Sequence, residues 1–415
     1  MDAYLARAQE LDAADPLAPF RDRFVIDDEH LIYLDGNSLG RLPRATTERL
    51  SKLVEGEWGA GLVRGWHDWI DLPRTAGDAL GTALLGVAPG QVLVCDNTTV
   101  NLYKLALAAI NARPGRTAIV TDDDNFPTDR YVLGQLAEQH DLELRVVKTP
   151  IDDGVQVDAV REAVDHDVAL VSFSHTAYRS GALAPISEID EIAHHAGALT
   201  LWDLSHSVGA VPVDLSRSDL AVGCSYKYLN GGPGAPAWLY VRRDLQTYLR
   251  NPIAGWFSQH DQFAPDNPYE PRMDIARFLT GTPPIPGIVC VEEGVRVLAD
   301  AGLDKLRTKG IALTEFLCEL SEEWLSEYGV CVASPRDPDR RGSHVVLEHP
   351  EAWQLSQALI AADVIPDYRE PNRLRLGPAP AYSRFVDVHE GIRRLREILA
   401  SKSHLAFPAE RSTVT

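Results

Sequence analysis

The sequence predicts an α/β fold: a mostly parallel sheet with helices on both faces, accompanied by a smaller α+β domain. From about residue 90 to 245, short apolar runs end in polar or Gly-rich turns and alternate with amphipathic segments. Such alternation is typical of parallel strands covered by helices on both sides. After a Pro-rich stretch at 281–287 the pattern changes to a long helical segment followed by short apolar runs. We therefore expect a second, smaller unit at the carboxyl end.

The elements of the larger unit can be placed in order. The predicted strands are QVLVCD (91–96), TAIVTDD (117–123), DVALVSFSH (167–175), ALTLWDLSH (198–206), LAVGCSYKY (220–228) and PAWLYV (236–241). The predicted helices between them are VNLYKLALAAINA (100–112), DRYVLGQLAEQ (129–139) and ISEIDEIAHHAG (186–197). Each strand is short and each helix is amphipathic, as a doubly covered sheet requires.

The second unit begins with one long helix, predicted over roughly 288–328, and the N-terminal helix is expected to pack with it. Residues 258–274 contain three prolines and no periodicity, which predicts a long loop. The expected division of the chain is 1–50 for an N-terminal segment packing with the small domain, 51–287 for the large domain, 288–400 for the small domain and 401–415 for a loosely held tail.

Composition excludes several classes of partner. The chain has 415 residues, with 40 Lys+Arg against 60 Asp+Glu, so its formal net charge is −20. This charge argues against a nucleic-acid or anionic-membrane partner. The 5 cysteines are odd in number and form no CxxC pair, so no disulfide framework and no metal site are expected. The absence of a signal-peptide pattern or long apolar run, together with this cysteine usage, favours a cytoplasmic protein.

Polar residues follow the predicted strands at the edge where ligands bind in open α/β sheets. One strand ends at Asp203, with His206 three residues later, and another leads into Tyr226 and Lys227. Two further strands lead into helix starts, and the residues found there are Asn97, Thr98, Thr99, Phe126, Pro127, Thr128 and Asp129. We expect a lysine, a carboxylate, an aromatic ring and hydroxyl groups to meet on one face.

This set of groups matches the needs of pyridoxal phosphate. Its aldehyde requires a lysine amine, its pyridine nitrogen a buried carboxylate, and its phosphate a helix N-terminus. Each residue alone has an ordinary interpretation, because strand-end lysines are usually solvated and aspartates or threonines often cap helices. The order of the groups on successive strands is what favours a cofactor site.

Several motifs resemble those of kynureninases, fold-type I pyridoxal phosphate enzymes related to class V aminotransferases. They are YLDGNSLGRLP (33–43), GWHDWIDLP (65–73), DNTTVNLYK (96–104), DNFPTDRYV (124–132), WDLSHSVGAVPVD (202–214), CSYKYLNGGPGAP (224–236) and AGWFSQ (254–259). The similarity extends from about residue 5 to 400. It implies the fold-type I transferase fold and a homodimer whose subunits share residues across the interface.

The resemblance also implies roles for individual residues. Lys227 would attach the cofactor covalently, Asp203 would pair with the pyridine nitrogen, and Tyr226 would move protons. The implied cofactor contacts are Thr98, Thr99, Phe126, Thr128, Asp129, Ser174, Asp203, His206, Tyr226 and Lys227, with Trp256 and Thr282 reaching a neighbouring subunit's cofactor.

The implied substrate contacts lie in three regions of the chain. Arg375 would bind the substrate α-carboxylate, as suits a planar, bidentate guanidinium. Arg373 would point to the same face of its strand, so spacing alone does not separate the two arginines. The other implied contacts are Asn37 and Ser38, with Trp66, His67 and Trp69 as candidates for the wall around an aniline ring.

The reaction implied by the resemblance is hydrolysis of a carbon–carbon bond in L-kynurenine, giving anthranilate and L-alanine. It belongs to tryptophan catabolism, the kynurenine pathway and NAD biosynthesis. Lys227, once released from the cofactor, would take the Cα proton as a base of tuned pKa. Thr282 leaves open the choice between kynurenine and its 3-hydroxy derivative.

Other functions compete with this interpretation. A cysteine desulfurase needs a reactive thiol, whereas Cys318 and Cys331 occur in apolar or helical settings that favour inert burial. An aminotransferase would share Lys227 and Asp203 and is separated only by the motifs. A dinucleotide site at GPGAPA (232–237) is a poor fit because its prolines remove amides and a strand follows. A non-enzymatic relative would have no chemical reason to keep the complete set of site residues.

Overall fold

The computed structural model describes residues 3–263 and 268–410, so parts of the predicted 258–274 loop and of the predicted tail lie outside the described residues. Its α-helices are α1 (Ala3–Ala13), α2 (Arg44–Ser51), α3 (Trp66–Trp69), α4 (Leu72–Leu80), α5 (Thr98–Asn111), α6 (Pro127–Gln139), α7 (Val157–Ala163), α8 (Ile186–His195), α9 (Ile285–Ala301), α10 (Leu303–Leu325), α11 (Ala352–Ala361) and α12 (Phe385–Ser401). Its strands are β1 (Ile32–Tyr33), β2 (Val92–Val94), β3 (Ala118–Asp122), β4 (Glu143–Val147), β5 (Val168–Ser174), β6 (Leu199–Asp203), β7 (Leu220–Gly223), β8 (Trp238–Val241), β9 (Cys331–Val332), β10 (Val345–Glu348), β11 (Val364–Ile365), β12 (Asp367–Arg369) and β13 (Arg373–Leu376). Lys52–Ala60 and Gly81–Leu85 continue α2 and α4 as π-helical turns.

The larger sheet has, within the described residues, the strand order β2-β8-β7-β6-β5-β3-β4. Pairing is parallel from β7 through β4, and β8 is antiparallel to both of its neighbours. The prediction of a mostly parallel sheet is confirmed. Because the parallel strands share one direction, their carboxyl ends meet at one edge, where the predicted polar residues lie.

Both faces of this sheet are buried, which explains its nearly continuous apolar runs. In β6, Leu201 packs with residues of α5 and α6, whereas its neighbour Trp202 packs on the opposite face with residues of α8 and α9. The Trp202 indole donates to Asp190 Oδ1 of α8 at 2.8 Å, so the one polar atom of this large ring is satisfied. The alternation fixes β6, and hence Asp203 at its end.

The large sheet and the helices that follow it each differ from the sequence prediction in one feature. Strand β4 was not predicted, because it is an edge strand with charged residues such as Glu143 and Arg145 rather than an apolar run. The single helix predicted over 288–328 was wrong, since α9 ends at Ala301 and α10 begins at Leu303. Gly302 separates them with φ 85° and ψ 126°, a backbone conformation that favours glycine.

The smaller unit is built around an antiparallel sheet in the order β12-β13-β10-β9. Its core contains residues of α10, α11 and α12, and the N-terminal helix joins this core through the buried Ala8. The ring of Tyr4 packs edge-on against Trp324, with 5.5 Å between ring centroids. The N-terminal segment therefore packs with residues that are more than 300 positions away in the chain.

The segment from residue 401 is held more firmly than the predicted tail. His404 is buried, and its Nε2 lies 2.7 Å from Glu351 Oε2. The Gln354 side chain donates to the Phe407 carbonyl at 2.7 Å, and the Phe407 ring packs on the small-unit core. Residues up to 407 thus contribute to packing, and the expectation of a loose tail from 401 was wrong for them. Residues 411–415 lie outside the described part of the chain.

A helix that spans a membrane must be both long and apolar. The longest, α10, has 23 residues and carries several charged side chains along its length. No helix in the described ranges is long and apolar enough to cross a membrane.

Candidate active site

A cavity of about 210 Å³ lies beyond the carboxyl ends of the parallel strands. It is lined by Asn97, Thr98, Thr99, Phe126, Thr128, Asp129, Asp203, Ser205, His206, Cys224, Tyr226, Lys227, Ala235 and Ala237. The structure therefore brings together the lysine, the strand-end carboxylate, the aromatic ring and the helix-start threonines that the sequence predicts.

Lys227 lies in the cavity with its side chain almost entirely buried. Its Nζ is 3.2 Å from His206 Nε2. Burial lowers the pKa of Lys227 below its usual value, and burial followed by the nearby lysine charge lowers the pKa of His206 well below its own. His206 is thus a neutral imidazole, and Lys227 releases its proton more readily than a solvated lysine does.

Two neighbouring carboxyl groups line the same cavity. Asp203 ends β6, and its Oδ1 accepts a hydrogen bond from the Ser205 amide at 2.8 Å. Burial, followed by the negative charge of Asp203, raises the pKa of Asp129 well above its ordinary value. Asp129 therefore holds its proton more tightly than a solvated carboxyl group does. Asp129 Oδ2 has no hydrogen-bond partner within the described residues, so a buried polar atom is left unsatisfied.

The start of α5 also lines the cavity. Asn97 is extended and caps the helix, with its Oδ1 accepting from the Val100 amide at 3.0 Å. The cap is therefore Asn97 rather than Thr98 or Thr99, and all three residues line the cavity. Amides in the first turn of a helix have no acceptor within it, and the helix dipole adds positive potential there. This corner of the cavity is suited to a phosphate.

Two aromatic rings flank the lysine. Lys227 Nζ lies 5.8 Å from the ring centroid of Phe126 and 5.8 Å from that of Tyr226. The Phe126 ring is held in place by Tyr178, which packs edge-on against it at 5.4 Å. Burial raises the pKa of Tyr226 above its usual value, so its phenol keeps its proton at neutral pH.

Arg375 lies on β13 and is fully buried beside the cavity. Its Nη1 donates to the Tyr178 carbonyl at 2.9 Å and lies 3.5 Å from His206 Nε2, and its Nη2 donates to Ser38 Oγ at 2.8 Å. The side-chain oxygen of Asn37 accepts from Nε of Arg375 at 2.6 Å. The structure thus places the predicted group of Arg375, Asn37 and Ser38 together, next to the partner of Lys227.

Arg373 has different neighbours, although strand alternation predicts the same face for both arginines. Its guanidinium pairs with Asp152 and lies 3.7 Å from Glu348. Nη1 of Arg373 also donates to the Ala333 carbonyl at 3.3 Å. Its partners therefore keep Arg373 away from His206, and the structure distinguishes two residues that spacing alone left equivalent.

The loop before α2 closes over the backbone of the lysine. The Gly40 amide donates to the Tyr226 carbonyl at 2.8 Å. A Cβ atom at Gly40 would lie 2.3 Å from the Lys227 carbonyl oxygen, so only glycine permits this approach. The loop that carries Asn37 and Ser38 is in this way fixed to the segment that carries Tyr226 and Lys227.

Several predicted residues lie outside the cavity of their own chain. Ser174 ends β5 beside Asp203, but its hydroxyl donates to Asn125 at 2.7 Å. Trp66 packs on Phe257 at 6.2 Å, and His67 is exposed. Other residues predicted at the cofactor but found on the surface are Trp256, which is 49% exposed, and Thr282.

Sequence reasoning missed four cavity residues, Ser205, Cys224, Ala235 and Ala237. The Ser205 hydroxyl accepts from the Cys224 amide at 3.1 Å, which ties the end of β6 to the end of β7. Ser205 lies two residues after Asp203, and that spacing was the available signal. Cys224 directly follows β7, but a strand-end cysteine carries no distinct pattern.

The cysteine positions bear on the desulfurase alternative. Cys318 is buried, and burial raises its pKa, as expected for an inert thiol. The expectation of burial was wrong for Cys331, which is exposed on β9. An edge strand presents one side chain in two to solvent, which an apolar sequence context does not reveal.

The cavity fits pyridoxal phosphate on the chemistry of its donors. A buried amine of lowered pKa, a strand-end carboxyl group, a second carboxyl group with an unsatisfied oxygen, a helix start and an aromatic ring lie around one space. These are the groups that the aldehyde, the pyridine nitrogen, the phosphate and the ring of the cofactor require.

Solved structures share the fold at low sequence identity. A cysteine desulfurase from Thermococcus onnurineus in its apo form superposes with a TM-score of 0.80 at 18% identity, covering 92% of this chain and 98% of that one. A lysine-to-alanine mutant of C-DES, with glycine covalently linked to its pyridoxal phosphate cofactor, gives a TM-score of 0.78 at 18% identity, covering 89% and 97%. The predicted fold-type I architecture is confirmed.

Relatives found by sequence share a higher identity with this chain than these solved structures do. Residues 306–395 match the model of the kynureninase C-terminal domain. The kynureninase of Pseudomonas fluorescens is 42% identical over 403 residues, covering 95% of both chains. The kynureninase of Burkholderia pseudomallei is 42% identical over 419 residues, covering 98% of this chain and 99% of that one. With such identity along nearly its whole length, and with the fold and the cavity described above, the chain belongs to the kynureninase family.

Proposed function

We propose that this protein is a pyridoxal phosphate-dependent hydrolase that converts L-kynurenine to anthranilate and L-alanine. The observation that carries the proposal is the buried Lys227 amine, which shares one cavity with Asp203 and the start of α5. His206 lies between this amine and Arg375 and is within 3.5 Å of both. Family membership supports the choice of substrate, which the fold alone does not decide. The reaction belongs to tryptophan catabolism.

The cavity residues divide into those that hold the cofactor and those that act on the substrate. Thr98 and Thr99 would bind the phosphate, Phe126 would stack on the ring, and Asp203 would pair with the pyridine nitrogen. Thr128, Asp129 and His206 would complete its surroundings. When bound, the cofactor draws electrons away from the bonds at the substrate Cα.

Lys227 supplies the base for the first proton transfer. Burial lowers its pKa below the usual value for lysine, so Nζ gives up its proton more readily and can serve as a base. His206 is neutral and its Nε2 lies within hydrogen-bond distance of this Nζ, so it can keep the amine oriented without adding a competing positive charge. Nζ can therefore take the proton from the substrate Cα and return it at a later step.

Tyr226 is the proposed proton relay. Its phenol stays protonated because burial raises its pKa, and it lies beside Lys227 in the cavity. The phenol, or a water molecule that it holds, can give a proton to the departing fragment and take one from the attacking water. A phenol can both donate and accept a proton, which suits it to this role.

Arg375 is the proposed partner of the substrate α-carboxylate. Asn37, Ser38 and the Tyr178 carbonyl hold its guanidinium, so its direction is fixed before substrate binds. Nη1 faces His206 and so lies toward Lys227. A carboxylate bound there would place the substrate Cα near Nζ.

A homodimer is the proposed assembly, and cytoplasm the proposed location. Large apolar side chains are exposed in two segments, a pattern that marks protein interfaces. They include Trp58, Leu62, Val63, Trp256 and Met273, with exposed fractions of 59%, 62%, 77%, 49% and 67%. Because Trp66 packs on Phe257, next to Trp256, we place Trp66, His67, Trp256 and Thr282 at the cavity of the partner subunit.

The test is an assay of the purified, cofactor-loaded protein with L-kynurenine, followed by the fluorescence of anthranilate. 3-Hydroxykynurenine in a parallel cuvette measures substrate preference, and Lys227→Ala is the control. Product that appears only when Lys227 is present supports the proposal. Intact cofactor absorbance without product from either substrate would contradict it and favour an aminotransferase.

A further inference from the structure

One buried lysine takes no part in the proposed reaction. Lys104 lies on α5, its side chain is 0% exposed, and it does not line the cavity. Its Nζ contacts Asp96 Oδ2 at 2.6 Å, the Phe278 carbonyl at 2.8 Å and Cys95 Sγ at 3.7 Å. A buried ammonium loses its hydration and is stable only when such partners replace the water. All three partners are therefore held close to α5.

The most important partner is Asp96, because it directly precedes the helix cap. Asp96 has φ +48°, which is uncommon for a residue with a side chain. Its carbonyl accepts from the Ala237 amide at 2.9 Å, and the Cys95 amide donates to the Ala237 carbonyl at 2.9 Å. The left-handed turn at Asp96 sets the direction of Asn97 and of the first amides of α5. Lys104 pairs with the side chain of the residue that makes this turn.

The second partner connects this turn to a distant segment. Phe278 ends the 3-10 helix Ile275–Phe278, and two residues later Thr280 Oγ1 donates to the same Asp96 Oδ2 at 3.4 Å. A Cβ at Gly255 would lie 1.8 Å from the Thr280 carbonyl, so the chain beside Trp256 packs directly on this segment. One ammonium thus holds both the turn before α5 and the segment that packs against it.

We propose that Lys104 is a positioning residue for the cofactor phosphate: through Asp96 and Phe278 it holds the turn that directs the first amides of α5 into the cavity. The inference rests on the proposed function, since it assumes a phosphate at Thr98 and Thr99. Lys104 does not touch the cavity, so its effect reaches the phosphate only through the turn. Loss of Lys104 should therefore weaken the binding of a phosphorylated ligand selectively.

The experiment compares pyridoxal phosphate with pyridoxal, which has the aldehyde and ring but no phosphate. Lys104→Met keeps the length of the side chain and removes the charge. We expect its Kd for pyridoxal phosphate, measured by absorbance titration of the cofactor-free protein, to rise by about tenfold or more, as for other residues that orient ligand-binding groups. The Kd for pyridoxal should stay within about twofold of wild type. Lys104→Arg, which keeps the charge, should recover part of the phosphate-dependent affinity.

Lys309→Met is the matched control. Lys309 is also a buried lysine on a helix, and its Nζ pairs with Asp15 Oδ2 at 2.7 Å far from the cavity. The Lys309→Met variant should have a lower Tm than wild type and an unchanged affinity for pyridoxal phosphate. Equal weakening of both ligands in Lys104→Met, or the same loss of phosphate-dependent affinity in Lys309→Met, would overturn the proposal.

A second variant covers the case in which Lys104→Met does not fold. Asp96→Asn keeps the size of the turn residue but weakens its pairing with Lys104, and it should show the same selective loss for pyridoxal phosphate; an unchanged ratio of the two affinities would overturn the inference. Failure of the proposed function can be distinguished from failure of this inference. A wild-type protein that binds pyridoxal phosphate but does not hydrolyse kynurenine contradicts that function and leaves this comparison intact.

Discussion

Burial determines the protonation of individual residues around the cavity. Lys227 has its pKa lowered, and Asp129 and Tyr226 have theirs raised, each chiefly because water is excluded. The sequence places these residue types correctly but contains no measure of burial. The protonation states that the proposed reaction needs therefore arise only in the folded chain.

Tyr226→Phe tests the proposed relay. The variant keeps the ring beside Lys227 but removes the phenol, so we expect cofactor absorbance to be preserved and kcat to fall by about 10²-fold or more, within the range for general acid–base groups. Stopped-flow or steady-state measurement of anthranilate formation checks the rate, and the absorbance spectrum is the control for cofactor binding. An unchanged kcat would rule out Tyr226 as the relay.

Asp122 gives a prediction for stability against pH. It ends β3 in a buried position, and its Oδ1 has no hydrogen-bond partner within the described residues. Burial, followed by the charge of Asp124, raises its pKa from 3.8 to about 7. Between these values the folded protein holds a proton that the unfolded chain has released, so the stability that this group contributes is lost as pH rises from about 4 to about 7.

Asp122→Asn removes that titration. We expect the variant to be more stable than wild type at pH 8 by about 2 kcal/mol, the typical cost of an unsatisfied buried group, and the difference to shrink toward pH 5. Urea unfolding at the two pH values measures it. Asp158→Asn, at an exposed position of α7, is the control and should show no such change with pH. A pH-independent difference for Asp122→Asn would contradict the expected loss of stability with rising pH.

Helix breaks show how far an element can be read from sequence. The apolar periodicity of α9 continues into α10, so the pattern predicts one helix where the chain makes two. Only the backbone at Gly302, with φ 85°, separates them. Glycine at such a position is a turn signal, but within a periodic pattern it is also tolerated inside helices, and periodicity does not distinguish the two cases.

Gly302→Ala should destabilise the protein by about 1–2 kcal/mol, because a Cβ disfavours this backbone conformation. Thermal or urea unfolding checks the change. Gly134→Ala is the matched control, since Gly134 is helical within α6 and a Cβ there would meet only Leu144 Cδ2 at 3.9 Å. That substitution should be neutral or stabilising by up to about 1 kcal/mol. Equal stability of Gly302→Ala and wild type would show that the junction tolerates a side chain.

Two residues of the proposed site lie away from the cavity of the chain that carries them. Trp256 and Thr282 lie on the surface, together with the exposed apolar residues of the two segments described above. A side chain that the resemblance puts at a cofactor, but that lies outside the cavity of its own subunit, can act only in a neighbouring one. This is why we propose a dimer with shared residues.

Mixing two inactive variants tests the shared site. Lys227→Ala lacks the base, and Trp256→Ala lacks the residue proposed to cross the interface. A heterodimer of the two contains one site with both residues intact, so random mixing after dissociation should restore about a quarter of wild-type activity. Activity assays of the mixture against each variant alone measure this recovery. Mixtures no more active than their components would place Trp256 in its own subunit's site or outside both sites.

The sequence by itself determined the fold class, the alternation of the large domain and most residues of the cavity. Strand-end positions such as Asp203 and Lys227 follow from apolar periodicity, and parallel topology brings those ends to one edge. The motif resemblance then identified the family that the relatives confirm.

Only the tertiary structure decided the rest. It directed Arg375 toward His206 and Arg373 toward Asp152, made Asn97 rather than Thr98 the helix cap, and buried Lys104 against Asp96. Each depends on contacts between residues distant in sequence, and on the exclusion of water that sets pKa values. Periodicity reports which face of an element is apolar; it does not report which partner covers that face.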